Sequence, residues 1–424
     1  MTPGLLTGFG LELEHIIVDA RSLDPLPLAD RLLAAAAAEP GARTDGEPGA
    51  AVDDVEFAAP GADEAGVFGW SNELVLHVVE FKTVGPVPAL SGLAAGFQQQ
   101  VSLANRLLEP LGARLLPGAM HPWLDPERDT RLWPHGHREI YAAYDRIFGC
   151  RGHGWSNLQS AHLNLAFSGD AEFARLHAAV RLLLPLIPAL AASSPVLDGR
   201  LTGWLDRRLD VYRGNQARIP SIAGLVVPEP VWNRRDYEER IFRRIWADIA
   251  PLDPEGLLQH EWLNSRGAIA RYDRMALEIR VVDVQECPAA DEAVAAAIVQ
   301  GLDWLIQERW APLAAQQALD TETLAAQLWV CARDGERARV TDPALLACFG
   351  VSHPLEAGEL WRRILAERPR LDDEQSGNLD LILERGPLAR RLLEALGPEP
   401  DRPRLREVWG ELADCLAQGR LFLP

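Results

Sequence analysis

The segment GFGLELEHIIVD, residues 8–19, places two glutamates, Glu12 and Glu14, inside an otherwise apolar run. Side chains alternate between the two faces of a β-strand, so both carboxylates project from one face while Leu11 and Leu13 project from the other. At a separation of about 4 Å and an effective dielectric constant of about 20, two like charges repel by about 4 kcal/mol, a large part of a domain's net stability. We therefore expect a strand whose glutamate face meets a compensating positive charge, such as a divalent cation.

The composition predicts a folded protein with a large core that does not bind nucleic acid. The chain has 424 residues, of which 48% are hydrophobic and 24% are charged, values typical of globular proteins. Its net charge is −19, from 42 basic and 61 acidic residues. This balance argues against a nucleic-acid-binding protein, because phosphate backbones require a basic face. The five cysteines are odd in number and show no CxxC spacing, so we expect neither a disulfide framework nor a zinc knuckle.

Two further features predict a cytoplasmic protein that does not enter a membrane. The first residues, MTPGLLTGFGLELEH, have no basic region and meet an acidic residue before an apolar run of signal length is complete. The most apolar segment, residues 182–192, is too short to span a bilayer and is interrupted by Pro185 and Pro188. We interpret that segment as the end of a buried helix.

The order of strand-like and helix-like segments favours an α+β fold with a mainly antiparallel sheet. Strands fall early and in separated pairs, without regular βαβ alternation, and amphipathic helices run from about residue 289 onward. An Ala/Gly/Pro/Asp-rich stretch at about 34–66 has the composition of a surface excursion. The predicted strands lie at 8–19, 72–83, 160–167 and 274–288, and the predicted earlier helices at about 90–110, 137–148, 170–193 and 235–248, with a loop at 193–218.

Four of these strand-like segments carry ligand-forming side chains on one face and apolar side chains on the other. Carboxylates and an imidazole that converge on a sheet are typical of a Mg²⁺ or Mn²⁺ site, often one that also meets nucleotide phosphates. The alternative for any single position is the solvated outer face of an antiparallel sheet. The residues concerned are Glu12 with Glu14, Glu80, His162 with Asn164, and Glu278 with Arg280.

Two nearby residues do not follow the alternation. Glu73 and His77 have the opposite parity to Glu80 in the segment NELVLHVVEFKT. Both glutamates can therefore reach one site only through a bulge, or because Glu73 lies outside the regular strand.

Other charged or metal-binding residue types give weaker signals. Histidines 121, 135, 137 and 153 lie in loop-like contexts and are better explained as loop residues than as ligands. Arginines 200, 207, 208, 213 and 218 could clamp phosphates or carboxylates, or form surface salt bridges. The chain lacks the GxxxxGK[ST] phosphate loop, the GxSxG nucleophile elbow and a complete dinucleotide fingerprint.

Several of these segments together resemble a known family. Their order and spacing over roughly residues 8–310 are similar to those of glutamate-cysteine ligase family 2, which includes the carboxylate-amine ligases. The most specific parts are the ELE strand and the LEIR..D.Q segment. The segments are GFGLELEHIIVD, VVEFKT, GAMHPW, SAHLNLAF, ASSPVLDGRLTGWLDRRLDVYRG and LEIRVVDVQECPAADEAVAAA.

The resemblance implies a glutamine-synthetase-like catalytic domain. Its curved, mainly antiparallel sheet would form a funnel, with helices packed outside, ATP entering one end and the acceptor carboxylate the other. Two or three divalent cations, Mg²⁺ or Mn²⁺, would bind between them. The implied metal ligands are Glu12, Glu14, Glu80, His162 and Glu278.

The resemblance also implies roles in nucleotide and substrate binding. His162 would lie near the nucleotide phosphates, Arg280 resembles the phosphate-stabilising arginine, and Arg213 resembles a substrate or phosphate contact. This chain has Asn164 where relatives often have a second histidine. That difference concerns the fine structure of the metal site.

The implied reaction is the ATP-dependent joining of a carboxylate to an amine through an acyl phosphate, with an amide, possibly γ-glutamyl, as product. The partners would be small, amino-acid-like molecules, and a homo-oligomer is compatible with the exposed helix faces. The expected organisation is a catalytic domain at 1–315 and a helical C-terminal extension at 316–424 packed on it. Three alternatives stay open at this point: a phosphagen-kinase-like phosphotransferase, a non-catalytic relative that binds a nucleotide or metabolite, and a metallohydrolase, which a single clear histidine fits poorly.

Overall fold

The computed structural model describes residues 4–44, 51–58 and 67–424. Its strands are β1 (Phe9–Asp19), β2 (Ala42–Arg43), β3 (Asp54–Ala58), β4 (Val67–Asn72), β5 (Val78–Thr83), β6 (Ala113–Leu116), β7 (Ser160–Ala166), β8 (Val196–Leu197), β9 (Arg200–Leu201), β10 (Ala268–Arg271), β11 (Ala276–Asp283), β12 (Arg339–Val340) and β13 (Leu355–Glu356).

Helices account for most of the rest of the described chain. The α-helices are α1 (Ala29–Ala37), α2 (Leu93–Leu108), α3 (Pro126–Asp129), α4 (Arg138–Phe148), α5 (His153–Ser156), α6 (Gly169–Leu183), α7 (Pro188–Ala191), α8 (Arg207–Tyr212), α9 (Arg234–Tyr237), α10 (Arg243–Ile249), α11 (Pro288–Ile306), α12 (Leu313–Gln317), α13 (Thr321–Asp334), α14 (Pro343–Ala347), α15 (Ala357–Ile364), α16 (Asp373–Arg385), α17 (Leu388–Leu396) and α18 (Arg402–Gln418). Single turns of 3₁₀-helix lie at Glu109–Leu111, Leu184–Leu186, Glu261–Leu263 and Gly335–Arg337, and a π-helical turn at Glu238–Phe242 joins α9 to α10.

One large sheet organises the molecule. In the described part of the chain it has nine strands, in the order β10-β11-β7-β1-β5-β4-β3-β2, with β6 also paired to β1. Every pairing in this sheet is antiparallel. The mainly antiparallel α+β fold and the helical C-terminal region are thus confirmed, and β1 lies at the centre of the sheet.

The main hydrophobic core covers one face of this sheet. Leu13 of β1 is fully buried there, and so are apolar residues of the same parity from the neighbouring strands. Helices α2, α6 and α11 pack over them, and α11 contacts both of the others. The core residues of the sheet and of these helices include Phe81, Leu163, Leu277, Phe97, Val101, Leu176, Val180, Val294 and Ile298.

A second, smaller core lies on the opposite face of β1, beyond the glutamates. Ile16 and Val18 share the parity of Glu12 and Glu14, and both are buried against helices α17 and α18. Trp409 of α18 is 1% exposed within this cluster. The C-terminal helices therefore pack on the glutamate-bearing face of the strand, at its far end. The division into domains at 1–315 and 316–424 stays a prediction.

The composition of residues 34–66 was a poor guide to their structure. Helix α1 runs into this stretch, and β2 and β3 extend the sheet within it; residues 45–50 and 59–66 lie outside the described residues. Val55 is fully buried and opposes Trp70 across the β3–β4 pair. Because an antiparallel strand needs only one apolar face, a few buried residues suffice to fix β3 in the sheet.

Three other boundaries differ from the prediction. The strand predicted at 72–83 is shorter: β4 ends at Asn72, residues 73–77 form a turn, and β5 begins at Val78. The helix predicted at 170–193 ends at Leu183, since Pro185 and Pro188 cannot donate the backbone hydrogen bonds that would continue it. The predicted loop at 193–218 contains helix α8, which Asp206 caps by accepting a 2.8 Å hydrogen bond from Leu209 N.

No helix in the described ranges combines the length and apolar character needed to cross a membrane.

Candidate metal and catalytic site

The ligand-bearing side chains come from four neighbouring strands. Across the β1–β5 and β1–β7 pairs, Glu14 opposes Glu80 and Glu12 opposes His162, and across β7–β11 Asn164 opposes Glu278. These residues line one cavity of about 560 Å³, except for Asn164, which lines an adjoining cavity. The strands predicted from alternation thus converge as expected, because they are neighbours in the sheet and in matched register.

A chain of hydrogen bonds joins the two glutamates that open the sequence. His162 Nδ1 donates to Glu12 Oε2 at 2.8 Å, and His162 Nε2 lies 3.0 Å from Ser160 Oγ. Ser160 donates to Glu14 Oε2 from its backbone N at 2.7 Å and from its Oγ at 3.1 Å. Asn164 Nδ2 donates to Glu12 Oε1 at 3.0 Å. A charged imidazole between the carboxylates offsets part of their repulsion.

Glu80 is held on the other side of β1 by a serine and a lysine. Ser71 Oγ donates to Glu80 Oε1 at 2.8 Å, and Lys82 Nζ donates to Ser71 Oγ at 2.9 Å. Lys82 also pairs with Asp54 at 2.9 Å and lies 3.8 Å from Glu80. Glu80 and Lys82 are two residues apart on β5, so both side chains project from the face that carries Glu12 and Glu14.

Glu278 lies between two arginines. Arg271 Nη1 donates to its Oε2 at 3.2 Å, and Arg280 Nε lies 3.4 Å from its Oε1. The β7–β11 register shifts between Ile279 and Val282, next to Arg280. Irregularities of this kind re-aim side chains beside functional sites.

The charges of the cluster perturb one another strongly. Burial opposes the charge of His162, but its hydrogen bond to Glu12 and the nearby carboxylates raise its pKa to about 9. Burial would raise the pKa of Glu12, but the hydrogen bond and charge of His162 outweigh it and lower that pKa to about 2. Burial, and then the charge of Glu12, raise the pKa of Glu80 to about 7. Burial works against the charge of Arg280, but Tyr212 and the glutamates raise its pKa above the ordinary value.

The donor atoms form two overlapping groups. Glu12, His162 and Glu278 make one group, and Glu14, Glu80 and His162 make the other; within each group, one ligand atom per residue lies within 4.8 Å of the rest. Carboxylate oxygens with a single imidazole suit Mg²⁺ or Mn²⁺. The residues present therefore fit these cations, and their role as metal ligands stays a prediction.

Glu73 joins the cavity and His77 does not. Glu73 lies in the turn between β4 and β5 and lines the same cavity as Glu80, which is the second of the two arrangements considered from the sequence. Burial, followed by the charges of Glu14 and Glu80, raises the pKa of Glu73 well above its usual value. His77 is fully buried, and its Nε2 lies 2.7 Å from the carbonyl oxygen of Ser156.

The position of Arg213 does not support its predicted substrate or phosphate contact. Its side chain pairs with Asp210 and lies over the ring of Trp329, at 4.6 Å from the ring centroid, outside the residues that line the cavity. Arg208, five residues earlier, does line the cavity. Helix α8 explains the difference, because it turns the two arginines to different sides.

Three histidines with weak sequence signals have structural partners, and a fourth lines the cavity. His121 is buried, with its Nε2 at 2.7 Å from the carbonyl oxygen of Leu23. His153 and His135 lie near Asp198 and Asp30, at 3.1 and 3.5 Å. The fourth, His137, is a cavity residue that sequence reasoning missed.

Other cavity residues were also missed, and some of them could have been found. Ser160 precedes His162 by two positions and Lys82 follows Glu80 by two, so strand alternation alone places both on the ligand-bearing face. Arg271 and Arg274 come from the turn end of the β10–β11 hairpin. Tyr141, Tyr144 and Trp155 lie in α4 and α5, whereas Trp262 comes from a 3₁₀ turn more than a hundred residues later, and no local pattern indicated that they line one cavity.

A second cavity of about 480 Å³ adjoins the first. Glu12, Lys82 and Arg274 line both. Its other walls contain Gly8 and Gly10 of the first strand segment, and Val84, which is 39% exposed. Two spaces therefore meet at the carboxylate cluster.

Comparisons with known proteins bear on the family of this chain. The family model described as Glutamate-cysteine ligase family 2 (GCS2) matches residues 8–411. An uncharacterized protein of Archaeoglobus fulgidus is 32% identical over 354 residues, which cover 83% of this chain and 88% of that protein.

Two solved structures have a similar fold. One is a glutamate-cysteine ligase from Francisella tularensis in complex with AMP, with a TM-score of 0.56, 12% identity, and coverage of 99% of this chain and 94% of that one. The other is a bifunctional glutathione synthetase from Pasteurella multocida, with a TM-score of 0.56 and 13% identity over 97% of this chain. This chain spans about half of that enzyme, 52% of its length. At these identities the two structures support the fold, whereas the family match over nearly the whole sequence confirms the resemblance: the chain belongs to glutamate-cysteine ligase family 2.

Proposed function

We propose that this protein is an ATP-dependent ligase that activates a carboxylic acid as an acyl phosphate and transfers the acyl group to an amine. The observation that carries the proposal is the pair of overlapping ligand groups that share His162, with Arg280 beside them. Such a site suits the transfer of a phosphoryl group, since that chemistry depends on positioning and on neutralising negative charge.

Mg²⁺ or Mn²⁺ would be held by Glu12, Glu14, Glu80, His162 and Glu278. When bound, such cations supply positive charge to phosphate oxygens. The neighbouring side chains would orient these ligands: Ser160 and Ser71 hydrogen-bond the carboxylates of Glu14 and Glu80.

In this proposal ATP occupies the second cavity and the acid and amine occupy the first. Lys82 and Arg274 lie where the two cavities meet, and their charges suit the phosphates. Gly8 and Gly10 line the second cavity. Because glycine has no side chain, the adenine base of ATP could approach the backbone there more closely than at other residues. The γ-phosphate would thus reach the carboxylate cluster from one side and the acid from the other.

The reaction then has two steps. A carboxylate oxygen of the acid attacks the γ-phosphorus of ATP, the bond from that phosphorus to ADP breaks, and Arg280 stabilises the charge on the transferring phosphoryl group. The amine nitrogen next attacks the acyl carbon, the carbon–oxygen bond to phosphate breaks, and an amide and phosphate leave. Glu73 is our choice for the group that takes the amine's proton, because it lines the cavity and belongs to neither ligand group.

The family name points to glutamate as the acid, so the amide formed would be of the γ-glutamyl type. Arg271, which lines the cavity, is placed to bind one of its carboxylates. Arginine forms paired hydrogen bonds with carboxylates.

The test is release of ADP from ATP and Mg²⁺ across a panel of amino acids, supplied singly and in pairs with amines, with mass spectrometry of each hit. Turnover that requires both an acid and an amine, with a product lighter than their sum by one water, is expected. A phosphorylated guanidine as product would instead identify a phosphotransferase. Nucleotide binding without turnover in any pair would contradict the ligase proposal and favour a binding protein.

A further inference from the structure

We propose that the amine substrate carries an aromatic or other large apolar group, which binds to an aromatic wall in the main cavity. The wall consists of Tyr141, Tyr144, Trp155 and Trp262, all of which line the cavity and are partly exposed. The inference rests on the proposed ligase function, because it names the class of one substrate of that same site.

The rings of the wall are fixed by packing on one another. The Tyr144 ring centroid lies 5.1 Å from that of Trp155 and 6.1 Å from that of Trp262, with interplanar angles of 54° and 43°. The hydroxyl of Tyr141 accepts a 3.0 Å hydrogen bond from Asn72 Nδ2. Helices α4 and α5 and the 3₁₀ turn at Glu261–Leu263 supply the four residues. A surface built in advance from three elements binds a flat or bulky group without further loss of side-chain freedom.

The wall shares its cavity with Arg280 and Glu73, and Asn72 Nδ2 donates hydrogen bonds to the Tyr141 hydroxyl at 3.0 Å and to the backbone carbonyl of Glu73 at 3.1 Å. Burial raises the pKa of Tyr144, and the nearby charge of Arg280 opposes that rise. Burial also raises the pKa of Tyr141, and the charge of Glu73 adds to that effect. An amine whose side chain lies on these rings would therefore hold its nitrogen between Arg280 and Glu73, where the acyl phosphate would form.

The polar parts of the reactants have other places to bind. The acid's carboxylates suit Arg271 and Arg280, and the phosphates of ATP suit Lys82 and Arg274 at the second cavity. The aromatic wall offers ring faces and no charged side chain of its own. The cavity lining adds the apolar side chains of Ile140 and Leu158, together with polar ones such as Asn215 and Gln216.

The size of the wall argues for a large side chain on the amine. Aromatic side chains stabilise a complex mainly through the apolar area that binding removes from water. A side chain as small as that of cysteine would cover little of the four rings. In an apolar pocket, one methylene group changes the specificity ratio by about 10-fold or more. We therefore expect phenylalanine to be used at least 10-fold more efficiently than cysteine or alanine.

The experiment measures kcat/KM for a series of amines with growing side chains, alanine, cysteine, leucine and phenylalanine, with glutamate and ATP fixed. The expected order rises from alanine to phenylalanine. Trp262→Ala is expected to lower kcat/KM for phenylalanine about 10-fold and that for alanine less than about 3-fold, and Trp155→Leu is a second variant with the same expected pattern. Trp246→Ala is the matched control, because Trp246 stacks on Phe242 at 5.6 Å outside the cavity.

Other outcomes would overturn the inference, and they separate it from the ligase proposal. A preference for cysteine or alanine, with turnover intact, would overturn the aromatic class alone. Equal losses for all amines, or a rise in the KM for ATP, in both wall variants would assign the rings to structure or to the nucleotide. No turnover with any acid and amine would reject the ligase function, and this inference with it.

Discussion

Arg208 donates a hydrogen bond from Nη2 to the backbone carbonyl of Arg280 at 3.2 Å. Arg208 is itself paired, through Nε, with Asp283, and the two side chains are 2% and 0% exposed. Asp283 also accepts 2.8 Å hydrogen bonds from Ser193 N and Ser194 Oγ. A buried ion pair thus supports the strand position that carries the proposed phosphate-stabilising arginine.

Breaking this pair is expected to destabilise the fold. Asp283→Asn should lower the free energy of unfolding in urea by about 3 kcal/mol, because it removes the carboxylate that pairs with the buried guanidinium of Arg208. The control, Asp334→Asn, removes a more exposed pair with Arg333 and should cost clearly less, because solvent screens that pair. Equal small losses in both variants would show that Asp283 is not an essential partner of Arg208.

The two arginines singled out from the sequence should differ sharply in their effect on turnover. Arg280→Lys is expected to lower kcat about 100-fold or more, because a lysine does not reproduce the donor geometry beside the transferring phosphate. Arg213→Lys should change kcat less than about 3-fold, since Arg213 pairs with Asp210 outside the cavity. A large loss in the Arg213 variant and none in the Arg280 variant would reverse our assignment.

Glu12→Gln tests the proposed ligand role of the first glutamate. We expect more than about 100-fold loss of turnover and a somewhat lower thermal midpoint in a variant that still folds, because glutamine keeps the shape of the side chain but loses the charge that pairs with His162. Glu109→Gln, a substitution at an exposed residue, should leave both quantities as they are. Near-normal activity of the Glu12 variant would contradict the site.

Added Mg²⁺ or Mn²⁺ should stabilise the folded protein in the absence of substrates. A cation that binds only the folded state adds about 2.7 kcal/mol at 100 times its dissociation constant, which a thermal or urea melt detects. Glu80→Gln should reduce this gain, since Glu80 belongs to one of the two ligand groups. An unchanged melting curve with either metal would argue against a resident cation.

His177 predicts a loss of stability in mild acid. Burial, with a smaller contribution from Arg181, lowers its pKa to about 3. The unfolded chain takes up a proton near the ordinary pKa of about 6.5 while the folded protein does not, so stability present above pH 6.5 is lost as the pH falls toward 3.

This single group should contribute about 2 kcal/mol to the fall between pH 7.5 and pH 5. Urea unfolding at both pH values measures that fall. His177→Gln removes the titrating ring and should reduce the difference by about that amount, even if its stability at pH 7.5 is lower. The same pH difference in both proteins would show that His177 is not responsible.

The sequence predicted the centre of the site well because strand alternation is a local property. The spacing alone placed Glu12 and Glu14 on one face of β1 and Glu278 on the ligand-bearing face of β11. Strand pairing in the sheet then brought the three carboxylates together. The matched register of β1, β5 and β7 could only be assumed from the sequence.

The rest depended on contacts between distant segments. Arg208 and Arg213 lie in one sequence motif, yet only the helical turn of α8 decides which of them meets the cavity. Tyr144 and Trp262 are more than a hundred residues apart, and nothing in either segment predicts that their rings meet. Strands β2 and β3, at one end of the sheet, were missed because their composition resembles that of a loop.

The position of β1 limits how this protein can change. A shift of this strand by one residue would turn Glu12 and Glu14 into the apolar core and bring Leu11 and Leu13 to the cavity. With strands paired on both sides and C-terminal helices on its far end, such a shift would disrupt the whole molecule. Natural variation in substrate choice is therefore expected to accumulate in the surrounding helices and turns, while the central strand remains constant.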